Sequence, residues 1–490
     1  MPRAMYPTLL VLCLLTLSAC TGTAPQPQPR PPMRTATIDV ASEPATLNPV
    51  AGYAPDGAAQ FYDGLLEHRA DGRAEPALAT ALPEPDASGT RLTVPIRKGV
   101  RFSDGSPLRP ADVVATYRAV LDPVYRSPLR ARYANLRAVE EAGDGSVRFT
   151  LAHRDPGFER LLTLGIVPAA ALREREPAGR LPISTRPVGT GPFAAVDWRR
   201  GQSLTMRART DYWDGKPKLD RITVRFQPDE RARLADLREH KADAARVANS
   251  NRQSPVDGTS AVESLSAEYR AVTLPEDNPV TGDQSVRDAM NRALDRSALV
   301  RDALGGVGEP ASTPFTSAQP EYQDPSARYQ YAKGKAEQEL QQAGWTAKPG
   351  AVRAKHGTQA RFTLRYPDGD PEAKALAEGF AKDMRTVGIQ VDPASGEPAD
   401  GEAALVARGD PFAPGIPDAT AQAQTDPAQR AIAYRAADRA YFAKPDLVVL
   451  ARMAHTYLVA DRLRGYQPVL DPVRPQFTWG LYWNLPEWTT

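Results

Sequence analysis

The stretch ARFTLRYPDGDPEAKALAEGFAKDMRTVGIQVDP, residues 360 to 393, constrains the fold more than any other. Phe362, Leu364 and Tyr366 alternate with polar neighbours, the period of a strand with one buried face. Asp370 stands where a helix N-cap belongs and Pro371 where the first helical residue belongs. A carboxylate accepts the orphan amide hydrogens there, and proline has no amide to satisfy. Leu376, Phe380, Met384 and Val387 then recur at helical spacing. Gly388 ends the helix and Ile389-Gln390-Val391 begins a second strand. Strand, helix and strand at this length make a βαβ unit, with parallel strands and a right-handed crossover. This part of the chain is therefore α/β.

Other segments follow the same two periods. TATIDVA from Thr35, TRLTVPIR with Leu92, Val94 and Ile96 on one face, SVRFTLA (146–152), SLTMRA and RITVRFQ read as strands. RTDYWDGKPKLD, between the last two, is rich in turn residues. In PDGAAQFYDGLLEHRADG, Ala59, Tyr62, Leu65 and Leu66 fall at helical spacing. After the turn at Asp104-Gly105, a helix starts behind Pro110 with Val113, Val114, Tyr117 and Val120 facing a core. SVRDAMNRALDRSALVRDAL (285–304) gives one amphipathic helix or two, and AKGKAEQELQQAGW (332–345) another, closed by Gly344.

At 490 residues two or three domains are expected. The formal charge of +2, without a basic block, disfavours nucleic-acid binding. Both cysteines, Cys13 and Cys20, lie in MPRAMYPTLLVLCLLTLSAC. One positive residue followed by a short apolar run has the form of a signal peptide and is too short to span a membrane stably. Leu17-Ser18-Ala19-Cys20 resembles the bacterial lipoprotein box, which implies a signal peptide over 1–20 and acylation of Cys20. An ordinary signal peptide, or cleavage elsewhere that leaves Cys20 a free thiol, stays open. Residues 21–34 alternate proline with polar residues and read as an extended tether. Together these put the protein at the cell membrane, lipid-anchored on the extracytoplasmic face.

Catalytic signatures are absent: the sequence has no GxSxG, HExxH or GxxxxGK[ST]. VGTGPF (188–193) holds a fragment of GxGxxG, but Pro192 would spoil a phosphate nest, so a turn is the better reading. Histidines at 68, 153, 240, 356 and 455 form no pair at ligand spacing. Nothing singles out a carboxylate pair for glycoside chemistry, and Glu140-Glu141 reads as a solvated pair. The expectation is a binding protein without enzymatic activity, cofactor or metal.

FYDGLLEHRADGRAEPALATALP, IRKGVRFSDGSPLRPADVVATY, VGTGPF, DYWDGKPKLDRITVRF, VRDAMNRALDRSALV and YPDGDPEAKALAEGFAKDMRTVGIQV occur in this order. In this they resemble the extracytoplasmic solute-binding proteins of ABC importers, family 5, the oligopeptide, dipeptide and nickel-binding type. The resemblance implies a two-lobed α/β fold of the periplasmic-binding-protein kind, with an extra subdomain at about 50–170. Lobe I would comprise 35–270 and 466–490, and lobe II 271–465. It implies capture of a peptide-like solute between the lobes by a monomer, and delivery to an ABC permease. Family members pair the peptide ammonium with an aspartate; the matching residue is Asp410, in LVARGDPFAP. Arg408 would meet a ligand carboxylate or neutralise Asp410. An aromatic usually follows that aspartate in the family, whereas Pro411 follows here. Two alternatives are a non-peptide solute such as a metal chelate, and a degenerate relative acting as an envelope sensor or assembly partner.

Overall fold

Two long strands carry the chain between two separate hydrophobic cores. The computed structural model describes residue 1 and residues 33–70, 72–253, 256–315, 320–412, 416, 418–424, 426–473 and 477–490. The signal peptide beyond Met1, Cys13, Cys20 and the tether as far as residue 32 lie outside the described residues. Arg34–Thr490 form one compact unit.

The main sheet contains β1 (Thr35–Val40), β2 (Phe193–Arg199), β3 (Ser203–Ala208), β4 (Arg221–Phe226), β5 (Ala244–Val247), β6 (Thr259–Thr273), β7 (Arg361–Tyr366), β8 (Gln390–Ser395), β9 (Ala403–Arg408) and β10 (Leu447–Ala460). Their order across the sheet is β8-β7-β9-β6-β10-β5-β1-β4-β3-β2. The βαβ reading holds: β7 and β8 pair in parallel with Phe362 opposite Val391, joined by the helix Pro371–Thr386. Asp370 caps that helix, its Oδ1 accepting from the Ala373 amide at 2.9 Å. The 285–304 stretch divides into two helices, Gln284–Ala293 and Arg296–Ala303.

The first core gathers Ile38, Val224, Leu204 and Phe193 of the sheet with a smaller antiparallel sheet, ordered 84–85, 91–95, 146–151, 136–143. The helix Pro110–Leu121 adds Val113, Val114, Tyr117 and Val120, all buried as their spacing requires. The second core is formed by Val272, Leu364, Val391, Leu405 and Leu450 of the sheet with Met290, Leu340, Phe380 and Met384 of the helices.

One expectation fails. Ala59, Tyr62, Leu65 and Leu66 are buried, but no helix forms there. Ala58 and Gln60 have φ of 50° and 52°. The carbonyls of Gln60 and Phe61 accept from the amides of Phe193 and Gly191, both at 3.0 Å. Their hydrogen-bonding capacity goes to a distant loop rather than to the next turn. This also accounts for VGTGPF: a Cβ at Gly189 would stand 2.1 Å from the Phe61 carbonyl oxygen. Its glycines permit close approach of two backbones, consistent with the turn reading.

Between the cores the first half of β6 pairs with the last half of β10, Thr259 opposite Ala460 through Leu265 opposite Ala454. The ladder is interrupted at Leu265/Tyr269 and resumes from Tyr269 opposite Arg452 to Thr273 opposite Leu447. Asp471 fills the interruption: its amide donates to Leu265 O and its carbonyl accepts from Ala267, both at 2.8 Å. Its carboxylate accepts from the Tyr457 hydroxyl at 2.7 Å and lies 2.9 Å from His455 Nδ1. His455 Nε2 stands 3.7 Å from Glu268 Oε2. Glu268 pairs with Arg270, which donates to Asp370 Oδ2 at 2.9 Å. Burial alone would raise the Glu268 carboxyl, but His455 and Arg270 outweigh it and hold the pKa below the usual value.

Asp39 in β1 is fully buried beside Arg225, with Asp236 near. Burial pushes its pKa up to about 7, against the pull of Arg225. Between its unfolded value and 7, the native chain holds a proton that the unfolded chain has released, so stability falls as pH rises across that window. Asp39→Asn should flatten the decline in thermal midpoint between roughly pH 5 and 7, by about 1–2 kcal/mol across the window. Midpoints measured across this range check it; an unchanged slope contradicts the assignment.

Candidate functional site

A cavity of about 650 Å³ opens between the loop at Gly52–Gly57 and the loop that leaves β9. Pro472, Val473, Thr478 and Trp479 form its back. The two loops come from opposite sides of the crossing strands: Val50 and Tyr53 belong to the first core, Leu405 to the second.

Arg408 ends β9, opposite Tyr269 of β6. Gly409 then takes φ +136°, and a Cβ there would lie 2.0 Å from the Ala267 carbonyl oxygen. The loop thus turns directly against the interruption in β6. Asp410 Oδ1 accepts from the Phe412 amide at 2.8 Å, an Asx turn with Pro411 at its centre. Asp410 is exposed at the cavity mouth, yet the protein around it displaces enough water to push its carboxyl up. The Phe412 amide pulls it down, Asp56 adds to the rise, and Arg132 and Arg160 oppose it. Asp56, also on the cavity wall, is ion-paired with Arg132.

Both site residues expected from the sequence, Asp410 and Arg408, line this cavity. Three aromatic residues that sequence reasoning had not assigned to the site stand beside them. Phe412 stacks on His68 with ring centroids 3.9 Å apart and planes at 14°. Trp479 meets Phe412 edge-on at 4.8 Å and 69°. Arg160 Nη1 donates to the Phe412 carbonyl at 3.1 Å. His68 Nδ1 donates to Gly72 O at 3.1 Å. Burial pulls the His68 pKa down to about 4, which leaves the ring neutral at pH 7. Trp479 is buried against Phe412 and Val469 and also borders the cavity, while Trp488 packs in the first core. An aromatic does follow Asp410, one position later than Pro411.

The cavity therefore offers a carboxylate beside a second acid, a guanidinium at the strand end, and an apolar ring wall. These groups suit a guest with a cationic end and an apolar body. Among the described residues no group of three or more His, Cys, Asp or Glu could hold a metal ion. Among them, too, no helix is long and apolar enough to cross a membrane.

Two cores joined by crossing strands, with a lined cavity between loops from each, define a two-lobed solute-binding protein. The profile described as bacterial extracellular solute-binding proteins, family 5 Middle, matches residues 73–427, and the chain belongs to that family. Protein XP55 of Streptomyces lividans is 35% identical over 473 residues, 89% of this chain and 86% of that protein. Oligopeptide-binding protein AppA of Bacillus subtilis is 31% identical over 330 residues, 64% of this chain and 60% of the relative. The fold matches NikZ from Campylobacter jejuni in complex with Ni(L-His), at TM-score 0.80 and 23% identity, covering 94% of this chain and 100% of that one. It also matches AppA from Bacillus subtilis in complex with a nonapeptide, at TM-score 0.76 and 24% identity, covering 94% and 99%.

Gly409→Ala should force the loop off Ala267, costing about 2–4 kcal/mol through backbone strain and overlap. Thermal or urea unfolding measures this; a variant as stable as the parent would show that the contact is not required.

Proposed function

We propose that this protein captures a peptide-like solute in the cavity between its lobes and hands it to an ABC permease. The observation that carries this reading is the cavity wall: Asp410 and Arg408 from one lobe, Asp56 from the other, and Phe412 and Trp479 between them. A peptide ammonium at Asp410 favours the ionised form of a carboxyl whose pKa partial desolvation and Asp56 raise. The Phe412–Trp479 wall takes an apolar side chain. Contacts made to both lobes favour the closed arrangement, and closure removes water from the pair. The lobes are proposed to divide at 35–270 with 466–490, and at 271–465; the second core, running from Val272 to Met453, supports the first crossing, whereas Tyr457, Val459 and Leu463 pack in the first core. The extra subdomain is proposed for about 50–170, a span that includes the small antiparallel sheet. The chain acts as a monomeric binding protein, not an enzyme. Cys20 carries the lipid, and the proline-rich tether holds the lobes off the membrane's extracytoplasmic face.

Short peptides with free and with acetylated N-termini, titrated into the purified chain, test the site. Asp410→Ala should weaken binding of the free form by about 10–100-fold and leave the acetylated form nearly unchanged. Equal loss for both removes the ammonium anchor. Binding of Ni(L-His) but of no peptide would replace the solute class.

Cys20→Ser should move the protein from the membrane fraction to the soluble fraction on cell fractionation. Retention in the membrane fraction contradicts the anchor.

A further inference from the structure

A second cavity, of about 610 Å³, lies within the second lobe, away from the interlobe cleft. Arg452 of β10 borders it from one side, in register with Tyr269 and with Glu309 of the short strand Glu309–Pro310. Asp438, on the helix Pro427–Ala443, borders it from another. Both are more than nine-tenths buried, at 8% and 1% exposure. Arg452 forms no hydrogen bond or ion pair with any described residue, and its Nε is buried without a partner. Asp438 Oδ2 accepts from the Asp324 amide at 2.8 Å and the Thr313 side chain stands close enough to the carboxylate to lower its pKa, but Oδ1 is buried with no donor at hydrogen-bond geometry. The two side chains form no ion pair with each other.

Such a pair is expensive. A buried guanidinium without an acceptor and a buried carboxylate oxygen without a donor each forfeit their hydration. Burial lowers the Arg452 pKa to about 10 and raises that of Asp438. The neighbouring Arg296 shows what a structural arginine looks like here. Its Nε donates to Ala311 and Val449 carbonyls at 2.8 Å, and its outer nitrogens donate to Asn291 O and Oδ1, also at 2.8 Å. Arg452 has none of this support, although it faces the same cavity.

We propose that this cavity is a second ligand site, for a free α-amino acid whose carboxylate meets Arg452 and whose ammonium meets Asp438 Oδ1. A zwitterion satisfies both unpaired groups at once. A simple anion would leave Asp438 unpaired, and a simple cation would leave Arg452 unpaired. Arg452 lies in the crossing strand, at the residue where the ladder resumes beyond Leu265/Tyr269. A ligand there touches the strand that joins the lobes.

The test is thermal unfolding of the full chain with each of the common amino acids at millimolar concentration, with acetate and methylammonium as half-ligands. At least one amino acid should raise the midpoint of the parent, and neither half-ligand should match it. The shift should persist in Asp410→Ala, which separates this site from the interlobe cleft. It should vanish in Arg452→Met, and in Asp438→Asn affinity should fall at least about tenfold. Without ligand, Arg452→Met should unfold at or above the parental midpoint, since Glu309 and Asp438 offset the buried charge only at a distance, without a hydrogen bond. Where that variant does not fold, Arg452→Gln is read the same way. The proposal is overturned if no amino acid stabilises the parent, if the shift survives in Arg452→Met and Arg452→Gln, or if it disappears in Asp410→Ala. Ligand-free destabilisation of both arginine variants would show Arg452 to be a structural, water-bridged residue.

Discussion

Everything that makes a cavity possible here depends on how β6 and β10 pass from one core to the other. A strand pair crossing between cores has to keep its backbone groups bonded where its neighbours run out. Asp471 does this at the interruption, bonding the backbone of Leu265 and Ala267 and receiving Tyr457 and His455 on its carboxylate. From there the chain of polar contacts runs through Glu268 and Arg270 to Asp370. Asp370 also caps the helix Pro371–Thr386, so the joint is tied to a helix of the second lobe. Gly480 seals it, since a Cβ there would stand 1.3 Å from Asp471 Oδ1. Buried ionic chains of this kind add little net stability, but removing one member leaves an uncompensated buried charge and is strongly destabilising.

The joint explains why the cavity's parts can be so far apart in sequence and still meet. Gly52–Gly57, Arg408–Phe412 and Trp479 approach one another because β6 and β10 fix the two cores edge to edge. The Phe412 ring then spans the remaining gap, between His68 on one side and Trp479 on the other.

Local periodicity made much of the scaffold legible. The unit around residues 360–393, its Asp370 cap and the alternating strands follow from rules that act over a few residues. The stretch after Pro55 misled for a physical reason. Burial at spacings of three and four marks a helix only if the backbone bonds itself, and here Gln60 and Phe61 bond to residues 191 and 193 instead. Asp410 and Arg408 were reachable only through motif order, because no local pattern distinguishes an Asp-Pro turn on a surface from one in a cleft. The His68–Phe412–Trp479 ring cluster behind the cavity had no signal at all, being an outcome of strand crossing. Arg452 was hidden too: in the sequence it is one of a few polar residues in a largely apolar strand, and only coordinates reveal that no hydrogen bond answers its Nε.

Gly409 rests on the Ala267 carbonyl with no room for a single added carbon. The loop carrying the acid at the mouth and the kinked span of β6 are therefore geared like two teeth in mesh. A small change of bend in that span turns directly into a displacement of Asp410, without passing through the packed interior of either half. On the proposed reading, a guest held at Asp410 would bear on that same span of β6.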